Sequence, residues 1–543
     1  MQTAITQFGG IVPRTPEHSL TVTQATLALN VNLRRGQLEP WRELCKYKDV
    51  PSTAVSLYMY GHCLYTWDSV VSVAELSPEW QRLYITGNSD SPQVMVRGSC
   101  CVMTYYRLGV PTPPVPPHAS AQEMCGRASD TRSYVYTWVN QWGEESAPSP
   151  ASDLVMVADG TSVSVTGISL PPDGYGIVSA NLYRSSTGFR PVDGKTQTPL
   201  TDYLFVATIY FPSVSYTDTV LTKKLGMPLD TVDVTPPPDR LQNITAVEGV
   251  IRLAGSVANR VYLSENFQPY NWPVKYELTL DSSIIHMKCL DQKLYVTTST
   301  TPYIIDVSSC DDTKCTPVTD IGRPLPDISC GHYNSAIITP FGLIYSSDPG
   351  VILIDPSARW HILTSKWLTA EQWHQLAPET ARFEYWNGYL FIVTDETSFI
   401  LDIDGDPYGD VRGMELSNIS DAPVAMQATN TGQLMFLQDS AVWFWDKSDT
   451  FRPFEWKSRE LYSPGTETIN KRSFYSPAAL RLRSVQTFVR VEDDHGHTVY
   501  ERTISGDKPV RLPKCGRHLS YRLYFTGTET VEFAELGTAI IAK

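Results

Sequence analysis

The sequence predicts an all-β protein: a β-propeller with an inserted β-sandwich and a C-terminal antiparallel β unit. Two observations indicate this architecture. A strand-turn-strand pattern recurs through the second half of the chain, and two proline clusters bracket a stretch of short alternating runs. The composition agrees, because 39 Pro and 33 Gly mark many turns, 29 Tyr favour strands, and charged residues make up only 19% of the 543 residues.

The recurring unit is an apolar strand, a polar turn, a second apolar strand and a terminal Asp. Its first Leu advances by 49, 47 and 44 residues, and in every copy the Asp follows that Leu by 12 positions. The four pairs are Leu294 and Asp306, Leu343 and Asp355, Leu390 and Asp402, and Leu434 and Asp446. A period of about 40–50 residues is typical of propeller blades. A weaker copy, without the Asp, runs from Ile251 to Leu263.

An N-terminal hairpin is expected to complete the propeller, because propellers often close by joining the first and last parts of the chain. Leu64–Trp67 and Val70–Val73 are the two strands predicted for it. Residues 1–117 are therefore predicted to form an N-terminal arm and the first propeller strands. Residues 236–470 are predicted to form the blades.

The inserted module is predicted between a proline-rich stretch at 111–117 and three consecutive prolines at 236–238. Consecutive prolines lack backbone donors and hold the chain extended, so they suit connectors. Residues 118–235 have the length of one β-sandwich. Tyr134–Val139, running into the turn Asn140–Pro148, resembles a fibronectin type III strand and turn. That resemblance implies a fibronectin-like sandwich and says nothing about function.

The C-terminal stretch 471–543 alternates again and is predicted to be a separate antiparallel β unit. Leu480–Arg483 and Tyr521–Phe525 show the alternation best. This stretch has a net charge of +4, against −18 for residues 1–470. The asymmetry favours a molecule that is oriented in its assembly.

Composition and motifs exclude several functions. A net charge of −14 disfavours general capture of nucleic acid or anionic membrane. There is no G-x-S-x-G, H-E-x-x-H, P-loop or C-x-x-C motif, so no catalytic residue, cofactor or metal site is predicted and the protein is not expected to be an enzyme. The start lacks the features of a signal peptide, and no apolar run reaches the ~18 residues of a membrane span. Ten irregularly spaced cysteines predict reduced thiols.

Two polar segments remain as metal candidates. Asp402, Asp404, Asp406 and Asp410 have the alternating carboxylates of a calcium loop, although Pro407 and Gly413 depart from that pattern. An acidic turn is the simpler interpretation, and calcium binding by Asp402, Asp404 and Asp406 stays open.

The second metal candidate is Glu492–His497, in which His495 and His497 would hold a transition metal. Its flanking apolar runs favour a hairpin turn instead. The cysteines Cys310 and Cys315 are expected to be free thiols, and Trp386, Trp443 and Trp445 are expected in blade cores rather than on a sugar-binding surface.

The N-terminal motifs resemble a known family. Gln7–Arg14 contains G-G-I-V-P-R, residues 25–33 include Asn30 and Asn32, and Arg35–Pro40 contains G-Q-L-E-P. Together they resemble the opening of the tail nozzle proteins of short-tailed bacteriophages, also called tail tubular protein B. Arg260–Trp272 and the C-terminal Leu519–Gly537 are similar to further segments of that family.

The resemblance implies a structural virion protein. Its members form a homohexameric ring at the distal end of the tail, stacked on the tail adaptor or head-to-tail connector protein, with a channel and gate for genome ejection. Tail fibres or other tail proteins are implied partners, and double-stranded DNA passes through transiently. The implied location is the virion, after assembly in the host cytoplasm. A channel wall poor in cations would let the duplex slide, because each neutralised phosphate adds affinity.

Two other functions stay open at this point. A propeller enzyme degrading cell-surface glycan would need a carboxylate pair among Asp306, Asp348, Asp355 and Asp402. A receptor-binding adhesin of the tail would use the sandwich at 118–235.

Overall fold

The computed structural model describes residues 2–98, 101–121, 130–158, 161–186, 200–309, 313–323, 335–404, 415–463, 474–514 and 516–538. Regular structure in these ranges is almost entirely β, with a single α-helix, Ala370–His374. Short 3₁₀ helices occur at Glu17–Ser19, Pro78–Trp80, Thr222–Lys224, Val274–Tyr276, Leu363–Lys366 and Pro378–Thr380. The all-β propeller class predicted from the sequence is confirmed.

The chain forms two compact units. Unit 1 comprises residues 1–70, 295–304 and 316–543, and unit 2 comprises residues 71–294 and 305–315. The domain boundaries expected at 117, 235 and 470 stay predictions. The strands Ile284–Leu290, Lys293–Thr298, Tyr303–Asp306 and Lys314–Pro317 contain the first repeat and are divided between the units.

Unit 2 contains two four-stranded antiparallel blades. The first consists of Ser72–Ala74, Arg82–Thr86, Gln93–Arg97 and Met103–Arg107. The second consists of Gln242–Ala246, Leu253–Val257, Arg260–Leu263 and Leu278–Thr279, and includes the weaker repeat copy. Tyr84, Leu253 and Trp272 pack in the core of these blades.

The sandwich in unit 2 has a three-stranded and a four-stranded sheet. They comprise His118–Ala121, Val163–Thr166 and Tyr216–Asp218, and Asp130–Asn140, Val155–Val157, Ile177–Ser186 and Leu200–Tyr210. Tyr134, Tyr136 and Trp138 point inward from one strand, as the alternation predicts. A buried Asp218 carboxylate accepts from the Tyr134 hydroxyl at 2.7 Å and from Arg184 at 2.5 Å.

The proline-rich segment after this strand continues the hydrogen bonding of the sheet. Ser146, Ser149 and Ser152 each accept a backbone N–H with the side-chain Oγ, from Trp138, Tyr136 and Tyr134 respectively, at 2.9–3.1 Å. Their own backbone N–H groups donate back to the same three residues. A spacing of three matches an extended polyproline conformation, whose side chains return to the same side every third residue. The S-x-P-S-P-x-S run is therefore a structural edge, because it satisfies the strand's backbone without forming a further strand.

Unit 1 contains the later repeats. Ala336–Thr339, Gly342–Ser347, Gly350–Ile354 and Trp360–Ile362 form one blade, and Arg382–Trp386, Tyr389–Val393, Ser398–Asp402 and Leu416–Asn418 form the next. The repeat residues Leu343, Leu390 and Leu434 lie on inner strands and are at most 1% exposed. The leucine of the repeat is therefore a core position, as periodicity predicted.

The last blade of unit 1 is completed by the N-terminal region. Ala425–Ala428, Leu434–Gln438 and Ala441–Phe444 are joined by Cys45–Asp49, which pairs antiparallel with Ala441–Phe444. A strand of the N-terminal region therefore completes a blade formed by the last repeat. The hairpin itself was predicted wrongly, because Cys63–Trp67 pairs with Ser56–Tyr60, whereas Ser72–Ala74 belongs to the first blade of unit 2.

The C-terminal residues form a large antiparallel arrangement together with N-terminal strands. Its strands are Gln2–Ile5, Ala25–Leu29, Phe454–Ser458, Leu461–Tyr462, Ala479–Asp493, Thr498–Gly506, Val510–Arg511, Ser520–Gly527 and Val531–Gly537. A two-stranded pair, Val31–Asn32 with Glu39–Pro40, lies beside them in the chain. The sheet continues into the blade 382–418 through the pairing of Ala25–Leu29 with Leu416–Asn418. The C-terminal unit is therefore not separate in hydrogen bonding from the N-terminal arm.

The short helix and the cysteines complete the comparison with the sequence. Thr369 and Gln372 form the predicted capping box. Within the described parts of the chain, no helix has both the length and the apolar character needed to cross a membrane.

Cys45, Cys289 and Cys315 are free thiols, and Cys310 lies outside the described residues. The prediction of reduced thiols is wrong for Cys63 and Cys101, which are both disulfide-bonded.

Candidate functional site

The terminal Asp of the repeat closes a turn. Asp306, Asp355 and Asp402 each accept the backbone N–H of the residue two positions later, at 3.0, 2.8 and 3.1 Å. This is the Asx turn, in which a short carboxylate replaces a backbone acceptor. Asp446 differs, because its carboxylate accepts the backbone N–H of Arg42 at 2.8 Å. The repeated Asp thus serves the blade fold, and this local role explains its fixed spacing.

Asp402, one of the residues considered for calcium binding, forms an ion pair with an arginine. Arg34 donates from Nε and Nη2 to the two Asp402 oxygens, at 2.8 Å each, and lies 3.6 Å from Asp404. A carboxylate held in this bidentate way has both oxygens engaged by the guanidinium. Asp406 and Asp410 lie outside the described residues. The described half of the acidic segment is therefore engaged by an arginine.

Three of the four carboxylates considered for a glycosidase, Asp306, Asp355 and Asp402, are engaged by local partners. Asp355 accepts two backbone N–H groups and pairs with Arg359 at 2.7 Å, while Asp348 sits in the exposed turn between two strands. The pKa of Asp306 is lowered by hydrogen bonds from the Ser308 side chain and backbone, and that of Asp355 is lowered by its N–H donors and Arg359, although burial opposes the shift. A glycosidase acid needs a raised pKa, so neither carboxylate suits that role.

An apolar pocket in unit 1 carries no such chemistry either. It has a volume of about 240 Å³ and is lined by Ile11, Pro13, Leu368, Gln372, Gln375, Leu376, Thr397, Phe399, Leu416 and Asn418. The lining includes no titratable side chain, so it offers no acid or base for catalysis.

The N-terminal glycines fit against the blade 382–418. Ile11 donates its N–H to the Leu416 carbonyl at 2.9 Å, and a Cβ added at Gly10 would collide with the Leu416 backbone. The Trp456 indole donates to the Gly9 carbonyl at 3.0 Å, and its ring packs edge-on against Phe8 at 5.0 Å between centroids. The F-G-G-I motif therefore requires small residues, because backbone lies against backbone there.

The following motif residues also have defined contacts. Asn30 has a left-handed φ of 54° and its side chain accepts the Ser420 N–H at 3.0 Å. Asn32 accepts from the Arg34 backbone and from the Tyr389 hydroxyl, at 3.1 and 2.9 Å. The Arg34 guanidinium carbon lies 3.6 Å above the Tyr389 ring. We call residues 8–36 of this arm, with Tyr389, Asp402 and Leu416, the N-terminal joint.

Of the three tryptophans expected in blade cores, Trp445 is buried, whereas Trp386 and Trp443 lie at the rim. Trp445 is 1% exposed and packs with Trp41, Phe391 and Phe436. Trp386 and Trp443 are partly exposed, and their indoles donate to the carbonyls of Gly432 and Gln438. The core interpretation is confirmed for Trp445.

The sandwich presents many large apolar side chains to solvent. Met227, Met156, Leu154 and Tyr210 are 79, 74, 70 and 69% exposed. Other exposed members in this module are Leu170, Val178, Val214 and Val232. These are exposed apolar positions of the module, and apolar side chains exposed in this way are available for contacts with a partner.

A cluster of imidazoles and carboxylates lies at the tip of the predicted 492–497 hairpin, which is confirmed by the pairing of Glu492 with Thr498. Asp493, Asp494, His495 and His518 each place one nitrogen or oxygen atom within 4.8 Å of the others. The sequence-based pair was His495 and His497, so His518 was missed. Its only signal is the register of Ala479–Asp493 with Ser520–Gly527, which sets Asp493 opposite Tyr521.

Both carboxylates in this cluster are stabilised in the ionised form. Burial acts to raise the pKa of Asp493, but N–H donation from His497 and His495 lowers it overall. Burial also acts to raise the pKa of Asp494, but hydrogen-bond donation from Leu519, His518 and His495 outweighs burial and lowers the pKa overall. Both carboxylates therefore present negative charge to the imidazoles of His495 and His518.

These elements define the class of protein as an all-β protein of propeller blades with an inserted fibronectin-like sandwich. No protein-family model matches the sequence, and no curated protein sequence matches it. Among solved structures, the chain is similar to the WD40 domain of Neurospora crassa Pan2, with 10% identity, TM-score 0.29, and coverage of 70% of this chain and 91% of that chain. The chain is also similar to the WD40 propeller of Doa1, with 9% identity, TM-score 0.27, and coverage of 76% of this chain and 98% of that chain.

A third similar structure is a chain of the S. cerevisiae complex of Dbp5 with Nup159 and Gle1. Identity is 13% and the TM-score is 0.23, and the match covers 45% of this chain and 57% of that chain.

Proposed function

We propose that this protein is a subunit of the distal nozzle ring of a short bacteriophage tail, a structural virion protein that provides a channel and gate for genome ejection. One observation carries the proposal. The segments that resemble nozzle proteins at the N-terminus lie in the N-terminal joint, where Gly10 and Asn30 each have a contact that few other residues would satisfy and Asn32 accepts from the Tyr389 hydroxyl. The resemblance therefore falls on residues that this fold constrains.

A second support is the structural use of the charged groups. The blade carboxylates Asp306, Asp355 and Asp402 close turns or bind arginine, which favours a mechanical role over a hydrolytic one. The net charge of −14 per subunit disfavours tight retention of duplex DNA. In this proposal six subunits surround DNA that passes without adhering, and the adaptor protein of the tail binds the same ring.

The sandwich is assigned the contacts with tail fibres or other tail proteins. Its exposed Met156, Tyr210 and Met227 would be covered in such a contact, and burying apolar surface is the main favourable term in association. The adhesin alternative uses the same surface and differs in its target, which would be the host receptor.

The deciding experiment measures the assembly of the full-length chain. Light scattering and negative-stain images of purified protein are expected to give a ring of about six subunits with an open centre. A particle that remains at 60.7 kDa at every concentration and releases reducing sugar from host envelope would overturn the proposal in favour of the enzyme.

The sandwich assignment has its own test. Met156→Asp with Met227→Asp is expected to leave the ring intact and abolish incorporation of fibres into particles. Ser164→Asp, at an exposed strand position of the same module, is the control and is expected to behave as wild type. Loss of host adsorption by particles that still carry fibres would instead support the adhesin.

A further inference from the structure

The turn after the long strand Ala479–Asp493 brings side chains from two distant segments together. Asp493, Asp494 and His495 belong to this turn, and His518 arrives just before Ser520–Gly527. The backbone N–H of Leu519 donates to Asp494 Oδ2 at 2.9 Å, which fixes the second segment against the first. The cluster is thus held by the sheet register and by a direct hydrogen bond.

Each carboxylate divides its two oxygens between backbone and imidazole. Asp493 Oδ1 accepts the N–H groups of His495 and His497, both at 2.9 Å, and Asp494 Oδ2 accepts from Leu519. The remaining oxygens, Asp493 Oδ2 and Asp494 Oδ1, face the imidazoles. The backbone therefore orients both carboxylates before any ligand arrives, as second-layer hydrogen bonds do in metal sites.

The facing atoms lie within 4.8 Å of one another, close enough to converge on a single ion. Asp494 Oδ1 lies 2.7 Å from His495 Nδ1 and 3.0 Å from His518 Nδ1, and Asp493 Oδ2 lies 3.6 Å from His518 Nδ1. Zinc bonds of about 2.0–2.1 Å in a tetrahedron separate neighbouring ligand atoms by about 3.3–3.4 Å. A bound ion would therefore replace the two short contacts of Asp494 Oδ1 and move the imidazoles outward by a few tenths of an ångström. The two imidazole rings are nearly perpendicular, at 75°, so both nitrogens approach one point from different directions.

The types of donor atom indicate which ion would bind, and the exposure of the side chains indicates from which side it would enter. Two imidazole nitrogens with two carboxylate oxygens suit zinc and similar transition metals, whereas calcium takes six to eight oxygens. The side chains of Asp493 and Asp494 are 5 and 16% exposed, while that of His495 is 70% exposed. An ion would therefore enter from the His495 side and stay against the buried carboxylates.

We propose that Asp493, Asp494, His495 and His518 bind a divalent transition metal ion such as Zn²⁺. The ion would fasten the hairpin tip to the segment that precedes Ser520–Gly527. The role is structural, because four protein ligands leave no open position for substrate. The contrasting arrangement is a set of hydrogen-bonded ion pairs that needs no metal.

The experiment uses the full-length chain after treatment with EDTA. Calorimetric titration with Zn²⁺ is expected to show one site per chain, and Co²⁺ is expected to give a tetrahedral visible spectrum without a thiolate charge-transfer band. The spectrum separates this site from any bound through cysteine. Absence of a saturable site at micromolar metal in the wild-type protein would overturn the proposal.

Variants locate the site. His518→Gln and His495→Gln are each expected to weaken binding at least about 100-fold, because loss of a ligand exceeds the 10–100-fold effect of a supporting residue. The remote, exposed variant His374→Gln is the matched control and is expected to stay within about 3-fold of wild type. Equal affinity in the His518→Gln variant would overturn the site, and far-ultraviolet circular dichroism of each metal-free variant confirms its fold.

Discussion

Arg34 and Asp402 form a two-pronged ion pair across 368 residues of sequence, with both N–O distances at 2.8 Å. The aspartate is 6% exposed and the arginine 29% exposed, and the guanidinium also covers the Tyr389 ring. The pair connects the arm that resembles nozzle proteins to the end of a repeat strand. Its loss therefore tests whether the arm is part of the fold or an appendage.

Arg34→Ala is expected to lower the free energy of unfolding by about 1–3 kcal/mol, since it leaves a buried carboxylate without its partner and loses the ring contact. Arg34→Lys is expected to recover only part of the lost free energy of unfolding, because a single ammonium does not reproduce the paired donors. Urea unfolding measures the change. The control is Arg35→Ala, whose side chain is 79% exposed, with an expected change within about 0.5 kcal/mol. Equal effects at the two positions would contradict the joint.

Gly10→Ala is expected to destabilise the protein by about 2–3 kcal/mol, because the new Cβ displaces the Leu416 backbone. The matched substitution Gly527→Ala also adds a methyl in the C-terminal sheet, but its nearest neighbour lies at an ordinary 3.5 Å. That change is expected to cost less than about 1 kcal/mol. Thermal denaturation of both variants provides the comparison, and a Gly10→Ala protein as stable as Gly527→Ala would refute the close approach.

Asp218→Ala is expected to cost about 3–5 kcal/mol, because the fully buried Arg184 and Arg132 would both lose the carboxylate that lies beside them. The effect should appear in the sandwich, followed by hydrogen exchange of its strands. Asp153→Ala, at an exposed position of the same module, serves as control with a change near zero. Wild-type protection in the Asp218→Ala sandwich is the contrary result.

Cysteine labelling should separate Cys45 from Cys289. Burial raises the pKa of the Cys289 thiol to about 11, so little thiolate exists near neutral pH, and the side chain is only 7% exposed. Cys45 is exposed. With iodoacetamide at about pH 8, Cys45 is expected to react about 100-fold faster or more, as measured by peptide mass spectrometry. Comparable rates in the native protein would contradict the burial.

Glu415 provides a pH test of the same joint. Burial raises the pKa of its carboxyl, although the Gly10 N–H donates to it at 2.5 Å and opposes the shift. A folded pKa above the unfolded one means that the group's contribution to stability is complete below the unfolded value, about 4.3, and is lost as pH rises through the folded value. Glu415→Gln keeps an acceptor for Gly10 and does not ionise. Its stability relative to wild type is therefore expected to increase from about pH 4 to pH 7 in urea titrations, and a constant difference would contradict the shift.

The sequence predicted the blades because their signals are local. Alternation places Leu343, Leu390 and Leu434 inward on adjacent strands, and an Asx turn needs only Asp and the next two residues. The capping box at Thr369 and the hairpin at 492–498 have the same local character. The first hairpin was misassigned because Val70–Val73 alternates as well as Ser56–Tyr60, and only packing decides which run pairs with Cys63–Trp67.

The sequence by itself therefore determined the all-β class, the repeated strand pairs and the turns that close them. The tertiary structure decided which distant residues meet: Arg34 with Asp402, Gly10 with Leu416, and His518 with Asp494. The physical reason is that side-chain periodicity acts over a few residues, whereas these contacts depend on the register and order of strands brought together from separate parts of the chain.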